Sequence, residues 1–472
     1  MTRILLINPY PDRASGINDS TITPPLGLAY LAAVLLREGF SVRIIDANIL
    51  SIPNEELLEE IRRENPAILG ISLNIITAEP GCRLARAAKS AGLGAKVVLG
   101  GVTPTTDPAG TMRKAVADFA VVGEGEQTML ELARAIRAGS GDFSSIKGLA
   151  YRAGGEIVVC PPRERLTDLD SLPFPAFELL PPFRLYRSRA RGSPAASVFT
   201  SRGCPFMCTF CNKSVFGNQT TLHSAGRVLD EIGFLVGRYG VRQIDVLDDH
   251  FTFDRDRAAA ILDGIVQRGY KVFINLQNGV RADRVDEELI RKMRAAGVYK
   301  IGFGVESGDP VVLKRNRKAL DLEKVLEASA LAKKHGLLVY GFFILGLPGD
   351  SPASMERTIS FALKMDPSVA NFGIALPFPG TEMFEMVRRE GRFLYDLGTD
   401  CFSGYNSGRA FFEMDGLTAA DVEKAYKDAY TRFYMRPGKV LEVLLSTRSL
   451  TELKWTVHAA MASQGFRFTR GR

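Results

Sequence analysis

Cysteine and histidine are scarce in this 472-residue chain, which has six cysteines and four histidines. Six cysteines are too few for a disulfide framework in a chain of this size, which excludes the small disulfide-stabilised secreted proteins. No uninterrupted apolar stretch reaches the length of about 18 residues that suggests a transmembrane helix, and residues 1–9 lack the pattern of a signal peptide. We therefore expect a cytoplasmic protein of roughly two or three domains.

Three of the cysteines stand close together, and the other three are isolated. Cys204, Cys208 and Cys211 have the spacing C-x3-C-x2-C. Three thiolates at this spacing can hold three corners of an iron–sulfur cube and leave the fourth iron open to a small molecule. A structural zinc site normally takes four Cys or His ligands, and no second Cys or His pair follows at suitable spacing. At the isolated positions we expect small buried or inert thiols: Cys82, Cys160 and Cys401.

The cysteine run resembles the signature of the radical S-adenosylmethionine (SAM) superfamily, including the aromatic Phe210 before the third cysteine. The resemblance implies that Cys204, Cys208 and Cys211 ligate a [4Fe-4S] cluster. In that family the open iron is chelated by SAM, and an electron from the reduced cluster cleaves a C–S bond to yield a 5′-deoxyadenosyl radical. It also implies that Phe210 lies near the adenine of SAM.

Residues 1–140 alternate apolar strands with helices. This alternation predicts a doubly wound parallel sheet of Rossmann-like type, in which ligands bind beyond the carboxyl ends of the strands. The predicted strands are Ile4–Asn8, Val42–Asp46, Ile68–Ser72, Lys96–Gly100 and Ala120–Val122. A first helix is predicted to open with Pro24–Gly27 and to run to about Glu38, and the other predicted helices are Glu55–Glu64, Pro80–Ala91 and Gln127–Arg137.

The turns after these strands resemble those of the cobalamin-binding domain that precedes many radical SAM domains. The landmarks are Pro24–Gly27, Gly100-Gly101 and Val122–Glu126, whereas the first turn lacks the G-x-G-x-x-G of a dinucleotide site. The resemblance implies cobalamin contacts from Pro25, Ser72, Thr77, Gly100, Gly101, Thr103, Gly123, Glu124 and Glu126. No D-x-H-x-x-G motif is present and all histidines lie outside this domain, so cobalt takes no axial imidazole from it. A domain that kept the fold and lost the ligand is the alternative.

Residues 141–195 are rich in proline, which prevents long helices, and are interpreted as a connector. Residues 196–390 again alternate strand and helix. Six such units predict a partial, TIM-like (β/α)6 barrel with its site at the carboxyl ends of the strands. The predicted strands are Ala196–Thr200, Gln243–Leu247, Val272–Gln277, Lys300–Gly304, Val339–Leu345 and Asn371–Leu376.

Polar side chains follow the predicted barrel strands. The family resemblance implies that Asp248 and Asp249 contact the amino group of SAM and that Glu306 and Ser307 lie on its ribose side; Arg281 is suited to pair with its carboxylate. For each side chain, a loop cap or a salt bridge is the alternative. His250 is a candidate acid or base for which a packing role has equal weight, so the catalytic residues remain unassigned.

Residues 391–472 are predicted to be mainly helical and basic. Helices are expected to begin at Thr418, Pro437 and Ser449, and residues 435–472 carry seven basic and two acidic residues of a chain whose net charge is +7. A basic amphipathic end can touch acidic membrane lipid, whereas the favoured alternative is a solvated helical surface. Three aromatic residues before these helices can line an apolar pocket or belong to the core: Tyr405, Phe411 and Phe412.

A radical generator next to a cobalamin domain resembles the cobalamin-dependent radical SAM methyltransferases and the anaerobic magnesium-protoporphyrin monomethyl ester cyclase branch. This resemblance implies methylation of an unactivated carbon in a small, hydrophobic molecule, with an electron donor such as flavodoxin or ferredoxin and without nucleic acid. Oxidative cyclisation or ring rearrangement without methyl transfer is the alternative. A methylthiotransferase would need three further cysteines in its N-terminal domain, whereas only Cys82 and Cys160 lie upstream. A cobalamin-binding sensor would not need the cysteine trio.

Overall fold

The computed structural model describes residues 2–11, 22–186, 191–395 and 408–446. The chain divides into two compact units. The first unit comprises Met1–Pro205, Asn212–Gly279 and Lys292–Tyr299, and the second comprises Phe206–Cys211, Val280–Arg291 and Lys300–Arg472. Over the described ranges, every helix is too short or too polar to cross a membrane.

The first sheet has seven strands in the order β2-β1-β3-β4-β5-β6-β7. Its strands are β1 (Arg3–Asn8), β2 (Ser41–Asp46), β3 (Ile68–Ser72), β4 (Lys96–Gly100), β5 (Phe119–Val121), β6 (Leu149–Ala153) and β7 (Glu156–Val159). Strands β1 to β5 pair in parallel. Their residues are almost continuously apolar and buried, as expected for a parallel sheet covered by helices on both faces. The predicted doubly wound sheet is therefore confirmed.

Seven helices accompany this sheet within the described residues. They are α1 (Leu26–Arg37), α2 (Ala47–Leu50), α3 (Asn54–Glu64), α4 (Ala78–Ser90), α5 (Val102–Thr106), α6 (Pro108–Ala115) and α7 (Glu126–Arg137). The local sequence sets several ends: Pro25 precedes α1, and the side chain of Asp107 accepts a hydrogen bond from Gly110 N at the start of α6. Short α5 lies directly after the Gly100-Gly101 turn and was not predicted from the sequence.

An antiparallel hairpin extends the first sheet beyond β5. Strand β6 pairs with β5, and β7 pairs with β6. Gly154 and Gly155 connect the two hairpin strands with φ values of 57° and 93°, as a tight two-residue turn requires. The proline-rich connector predicted over 141–195 thus contains two strands. After them it has short 3₁₀ turns at Leu169–Ser171, Phe177–Leu179 and Phe183–Leu185.

The second sheet has six strands in the order β8-β11-β12-β13-β14-β15. They are β8 (Ala195–Val198), β11 (Gln243–Val246), β12 (Phe273–Leu276), β13 (Val298–Glu306), β14 (Leu338–Leu345) and β15 (Val369–Ile374); the short β9 (Ser201–Arg202) and β10 (Thr221–Leu222) form a separate antiparallel pair. The strand order follows the chain, which confirms the predicted partial barrel. The edge at which the sequence predicts a site is consequently made of the segments that follow each strand.

Helices connect the strands of the second sheet. They are α8 (Ala225–Tyr239), α9 (Arg255–Gln267), α10 (Glu287–Ala295), α11 (Pro310–Arg315), α12 (Leu322–Lys334) and α13 (Pro352–Met365). Side chains cap several of their starts. The Ser224 side chain accepts from Arg227 N at the start of α8, for example, and Ser351 and Ser354 form a reciprocal capping box at the start of α13.

The C-terminal region begins with α14 (Glu382–Glu390) and the antiparallel pair β16 (Gly391–Phe393) and β17 (Phe412–Met414), and continues with α15 (Ala419–Tyr434) and α16 (Pro437–Ser446). Thr418 and Asp421 form a capping box at the start of α15, where the sequence predicted that a helix begins. The expected helix at Ser449, the isolated Cys401 and Tyr405 lie outside the described residues. Phe411 and Phe412 are 5% and 3% exposed and belong to an apolar cluster with Leu347 and Leu376, so they are core residues.

Candidate active site

The cysteine run follows β8 and β9 directly. Cys204 and Cys208 are half-buried and Cys211 is exposed. Gly203, immediately before Cys204, has a φ of 81°, and a Cβ there would lie 2.2 Å from the Gln219 carbonyl oxygen. Glycine is therefore required at the entrance of this loop.

Two aspartates after β11 hold the segment that leads into the cysteines. The Asp248 carboxylate is 1% exposed and accepts hydrogen bonds from Thr200 N at 2.6 Å and from the Thr200 and Ser201 hydroxyls. Burial raises the pKa of Asp248, which these hydrogen bonds oppose. Asp249 is exposed and accepts from Gly203 N at 3.0 Å. The sequence predicted SAM contacts for both aspartates; that role stays a prediction, and Asp249 is the one whose side chain reaches the surface.

Arg281 lies over an aromatic ring of the cysteine run. Its guanidinium carbon is 3.8 Å from the centroid of the Phe206 ring, and its nitrogens donate to both oxygens of Asp283 at 2.9 and 2.8 Å. A cation over an aromatic face is an attractive contact. The predicted pairing of Arg281 with the SAM carboxylate is untested, and the contact with Phe206 is one that sequence spacing did not indicate.

Phe210 is half-buried and packs against the apolar cluster that contains Val312, Leu347 and Leu376. Leu347 belongs to the Gly346–Gly349 turn after β14, where Gly346 and Gly349 have φ values of 83° and 90°. Phe210 thus shares an apolar cluster with a residue of this turn, and its predicted contact with adenine remains a prediction.

Glu306 ends β13 in a strained conformation. Its φ is 66°, and the register of the β13–β14 ladder shifts between Gly304 and Glu306. Left-handed backbone at a non-glycine residue persists where the surrounding structure holds it, and such positions are common at functional sites. The next residue, Ser307, is fully buried and hydrogen-bonded to the Thr358 hydroxyl at 3.1 Å.

Lys318 is a candidate that the sequence reasoning missed. Its ammonium lies 3.0 Å from Glu306 Oε1, and both side chains are 12% exposed. Burial opposes the charge on Lys318, but Glu306 and Cys208 raise the pKa of the lysine above its ordinary value. A permanent cation thus stands near the second cysteine, which suits an anionic ligand group. No motif marks this lysine, because its partner is twelve residues away across a helix.

His250 and His223, which lie downstream of the cysteines, are both 1% exposed. The His250 ring packs edge-on against Phe253, with 5.8 Å between ring centroids, which agrees with the packing alternative. His223 Nδ1 lies 2.9 Å from Asp170 Oδ1. Burial lowers the pKa of His223 to about 4, against the opposing effect of Asp170.

In the first sheet, the turns after β3 and β4 contact each other. Thr103 N donates to Leu73 O at 3.3 Å, and Gly101, with a φ of 97°, would place a Cβ 2.5 Å from the same oxygen. After β3, Thr77 Oγ1 accepts from Asn74 N at 2.9 Å and donates to Ser72 O. The predicted contacts of these turns with cobalamin stay predictions. The same holds for Pro25 and for the half-buried Gly100.

The acidic turn after β5 has a partner outside the first sheet. Gly123 N donates to Thr105 Oγ1 at 3.0 Å, and the carboxylates of Glu124 and Glu126 bind the guanidinium of Arg202. Glu124 also accepts from Leu166 N at 2.9 Å. The side chains of Glu124 and Glu126 therefore face Arg202, and direct contact of these two carboxylates with cobalamin is left as a prediction.

The donor atoms of the cysteine run suit an iron–sulfur cluster, and those of the turns after β3, β4 and β5 suit cobalamin. Three thiols lie within eight residues of a loop whose other side chains are largely neutral, as cysteine-bound iron–sulfur clusters require. Within the described ranges, no three His, Cys, Asp or Glu side chains form a group that could hold a single metal ion. The β3–β5 turns present glycine backbone and small polar side chains at the sheet edge where ligands of doubly wound folds bind.

Two protein families match the chain. The B12 binding domain family matches residues 14–133, and the radical SAM superfamily matches residues 198–362. An uncharacterized methyltransferase of Pyrococcus horikoshii is 35% identical over 93% of this chain and 94% of its own length. The chain belongs to the radical SAM superfamily. Its B12-binding domain places it among the cobalamin-dependent members, as the two resemblances implied.

Two further relatives of this radical SAM enzyme have different activities. The anaerobic magnesium-protoporphyrin IX monomethyl ester cyclase of Rubrivivax gelatinosus is 27% identical over 92% of this chain and 77% of its own length. The cytidylyl-2-hydroxyethylphosphonate methyltransferase of Streptomyces wedmorensis is 26% identical over 87% of this chain and 88% of its own. Methyltransferases and a cyclase are thus both among its relatives.

Solved structures agree with the fold. The radical SAM methyltransferase TsrM from Kitasatospora setae, with cobalamin and a [4Fe-4S] cluster bound, has a TM-score of 0.73 at 18% identity and covers 98% of this chain and 99% of its own. The cobalamin-dependent enzyme OxsB, with aqua-cobalamin and SAM bound, has a TM-score of 0.76 at 16% identity. The match covers 98% of this chain and 72% of the OxsB chain. The predicted cofactors of this radical SAM enzyme, a [4Fe-4S] cluster, SAM and cobalamin, are those of its family.

Proposed function

We propose that this enzyme methylates an unactivated carbon of a small, largely apolar molecule. The observation that carries the proposal is the presence, in one chain, of a B12-binding domain followed by a radical SAM domain. A methyltransferase that acted by nucleophilic displacement would need no radical generator. The similarity of nearly the whole chain to the Pyrococcus methyltransferase supports methyl transfer as the outcome.

The cofactors carry the difficult chemistry, and the chain supplies position and shelter from water. When bound, the cluster and SAM supply the radical that abstracts hydrogen, and methylcobalamin supplies the methyl group. Cys204, Cys208 and Cys211 would hold the cluster. The Lys318 ammonium and the Arg281 guanidinium are cations suited to the carboxylate of SAM, and Glu306 is an acceptor for its hydroxyls or ammonium.

The preference for an apolar substrate is supported by side chains at the margin of the apolar cluster near Phe210. Phe210, Ile344 and Phe378 are only partly buried there, in contrast to the core residues Phe411 and Phe412. Binding sites for small molecules are mostly apolar with a few convergent polar groups. A lipid, a polyketide or a tetrapyrrole would match these properties.

Reconstitution tests the radical chemistry directly. Protein reconstituted with iron and sulfide under anaerobic conditions should release 5′-deoxyadenosine from SAM after reduction with dithionite. The Cys208→Ala variant should release none, whereas Cys160→Ala, which removes a buried thiol directly after β7, should match the wild type. Absence of 5′-deoxyadenosine from wild-type protein with a full cluster would contradict the proposal.

Oxidative cyclisation is the second candidate, because the Rubrivivax cyclase aligns with 92% of the chain. SAM labelled in its methyl group separates the two reactions. Label in a carbon-methylated product supports methyl transfer, whereas an unlabelled, dehydrogenated or cyclised product supports the cyclase. Retention of the corrin absorption band after incubation with hydroxocobalamin and gel filtration tests the cofactor that both reactions share.

The electron donor is proposed to be a flavodoxin or a ferredoxin, since reduction of the cluster needs a one-electron carrier. Activity with reduced flavodoxin in place of dithionite is the test.

Peripheral membrane contact through the C-terminus is a separate proposal. Leu441 on α16 is 57% exposed, but Lys439 is 4% exposed and bonded to Pro367 O and Glu442, so it offers no cation to lipid. Unchanged binding to anionic liposomes after deletion of 436–472 would exclude that contact.

A further inference from the structure

Arg202, two residues before the first cysteine, joins the cysteine run to the first sheet. Its Nη1 lies 2.9 Å from Glu124 Oε1, and its Nη2 lies 2.7 Å from Glu126 Oε1. The three side chains are 3%, 9% and 11% exposed. A buried guanidinium that bonds two carboxylates is held in one geometry, because moving it would leave buried charges unpaired.

The other side of the cysteine run has a second contact with the same region. Thr106 Oγ1 accepts from Asn212 Nδ2 at 3.4 Å and lies 3.3 Å from Ser214 Oγ. Thr106 ends α5, which follows the Gly100-Gly101 turn after β4, and the neighbouring Thr105 accepts from Gly123 N. The turns after β4 and β5, at the edge expected to bind cobalamin, thus contact the chain both before and after the cysteines.

We propose that Arg202 is a positioning residue that couples cobalamin binding at the turns after β4 and β5 to the conformation of the cysteine loop. Cobalamin that orders the Gly123–Glu126 turn fixes both carboxylates, and the carboxylates fix Arg202. Gly203, which cannot accept a Cβ without colliding with Gln219 O, passes this constraint on to Cys204. The proposal rests on the cofactors of the family and not on methyl transfer.

Arginine suits the role because its rigid planar fork donates from two separate nitrogens, Nη1 to Glu124 and Nη2 to Glu126, whereas a lysine ammonium is a single point of charge on a flexible stem. The guanidinium carbon also lies 5.1 Å from the Tyr30 ring centroid and 5.4 Å from that of Phe216, so aromatic faces confine it from the side. The Arg202→Lys variant keeps the positive charge but loses the pair of hydrogen bonds from the guanidinium to Glu124 and Glu126. It therefore tests geometry separately from charge.

Coupling of two sites is reciprocal and appears as a ratio of affinities. We would titrate the full-length protein with hydroxocobalamin, once with the reconstituted cluster and once after removal of the cluster by a chelator. The wild type should bind hydroxocobalamin at least about fivefold more tightly with the cluster than without it. In Arg202→Lys this ratio should fall to within about twofold of unity, and the EPR spectrum of the reduced cluster should no longer change when cobalamin is added.

The matched control is Arg227→Lys. Arg227 pairs with the buried Glu231 on its own helix α8, so the variant weakens a comparable ion pair and should keep the wild-type ratio. If circular dichroism shows that Arg202→Lys is unfolded, Glu126→Gln takes its place. That variant removes one carboxylate from Arg202 and should likewise bring the ratio of affinities closer to one. A wild-type ratio of one, or an unchanged ratio in the folded Arg202→Lys or Glu126→Gln variant, overturns the coupling. Neither outcome depends on whether a methyl group is transferred.

Discussion

Thr209 and Asn316 are joined by two hydrogen bonds, although 107 residues separate them. Thr209 N donates to Asn316 O at 3.1 Å, and Thr209 Oγ1 donates to Asn316 Oδ1 at 2.8 Å. Asn316 Nδ2 in turn donates to Val312 O and Pro348 O, each at 2.9 Å. Thr209, the first of the two residues between the second and third cysteines, is thereby fixed to the segment after β13 and to the turn after β14.

Replacement of Asn316 by alanine should therefore lower cluster occupancy. Thr209 and Asn316 are 2% and 0% exposed, so the variant leaves buried polar groups without partners, at a cost of about 1–3 kcal/mol. Bound iron per chain after reconstitution is the measurement. Asn371→Ala, at an exposed position on β15, is the control, and equal iron contents in the two variants would contradict the anchoring role.

Lys318→Met should weaken SAM binding by about tenfold or more, which corresponds to roughly 1.4 kcal/mol. The ammonium is a charged donor beside Glu306 and Cys208, and a hydrogen bond to a charged group is worth about 1.5–3 kcal/mol. The change that SAM causes in the EPR spectrum of the reduced cluster reports binding without turnover. Lys314→Met, on the exposed side of α11, should leave that titration unchanged; a similar loss in both variants would argue against a role for Lys318 in SAM binding.

Gly101→Ala should reduce retention of cobalamin and lower stability by about 1–3 kcal/mol. The left-handed φ of 97° disfavours any side chain, and the added Cβ would lie 2.5 Å from Leu73 O. Gly94→Ala places a Cβ in open space of the same domain and serves as the control. Corrin absorbance after gel filtration should distinguish the variants, and retention by Gly101→Ala at the level of Gly94→Ala would contradict this expectation.

Protonation of the buried His223 should make the fold less stable as the pH falls from 6.5 to 4. Burial lowers its folded-state pKa to about 4, whereas the unfolded value is about 6.5. The unfolded state therefore binds more protons in this window, and the free energy of unfolding decreases as the pH falls. The effect is on the order of 2 kcal/mol at pH 5. Thermal midpoints measured between pH 4.5 and 7 should fall less steeply in His223→Gln than in the wild type, and parallel curves would contradict this assignment.

Most of the fold was accessible from the sequence because its strands are short apolar runs between strong turn signals. The strands Ile68–Ser72 and Lys96–Gly100 were predicted at their observed limits, and Thr418 was predicted correctly as a helix start. The hairpin β6–β7 was missed because prolines dominated the interpretation of its region. The signal was nevertheless present, since Gly154-Gly155 between two β-rich segments favours a tight hairpin turn.

The site was less predictable, because sequence spacing does not show which side chains meet. The cysteine motif fixed the three thiols, and family landmarks indicated Asp249, Glu306 and the turns of the first sheet. The partners of these residues came only from the fold. Arg202 with Glu124, and Thr209 with Asn316, are pairs 78 and 107 residues apart along the chain, and no local periodicity relates them.

The side chain of Glu306 explains why its left-handed backbone can persist. Glycine would relieve about 1 kcal/mol of strain there, but it would also remove the carboxylate that pairs with Lys318. Loss of one partner from a buried ion pair costs about 3–5 kcal/mol, so Glu306→Gly should destabilise the protein as well as weaken the cofactor site. A thermostabilised form of this enzyme should accordingly be sought at other positions, with Glu306 held fixed.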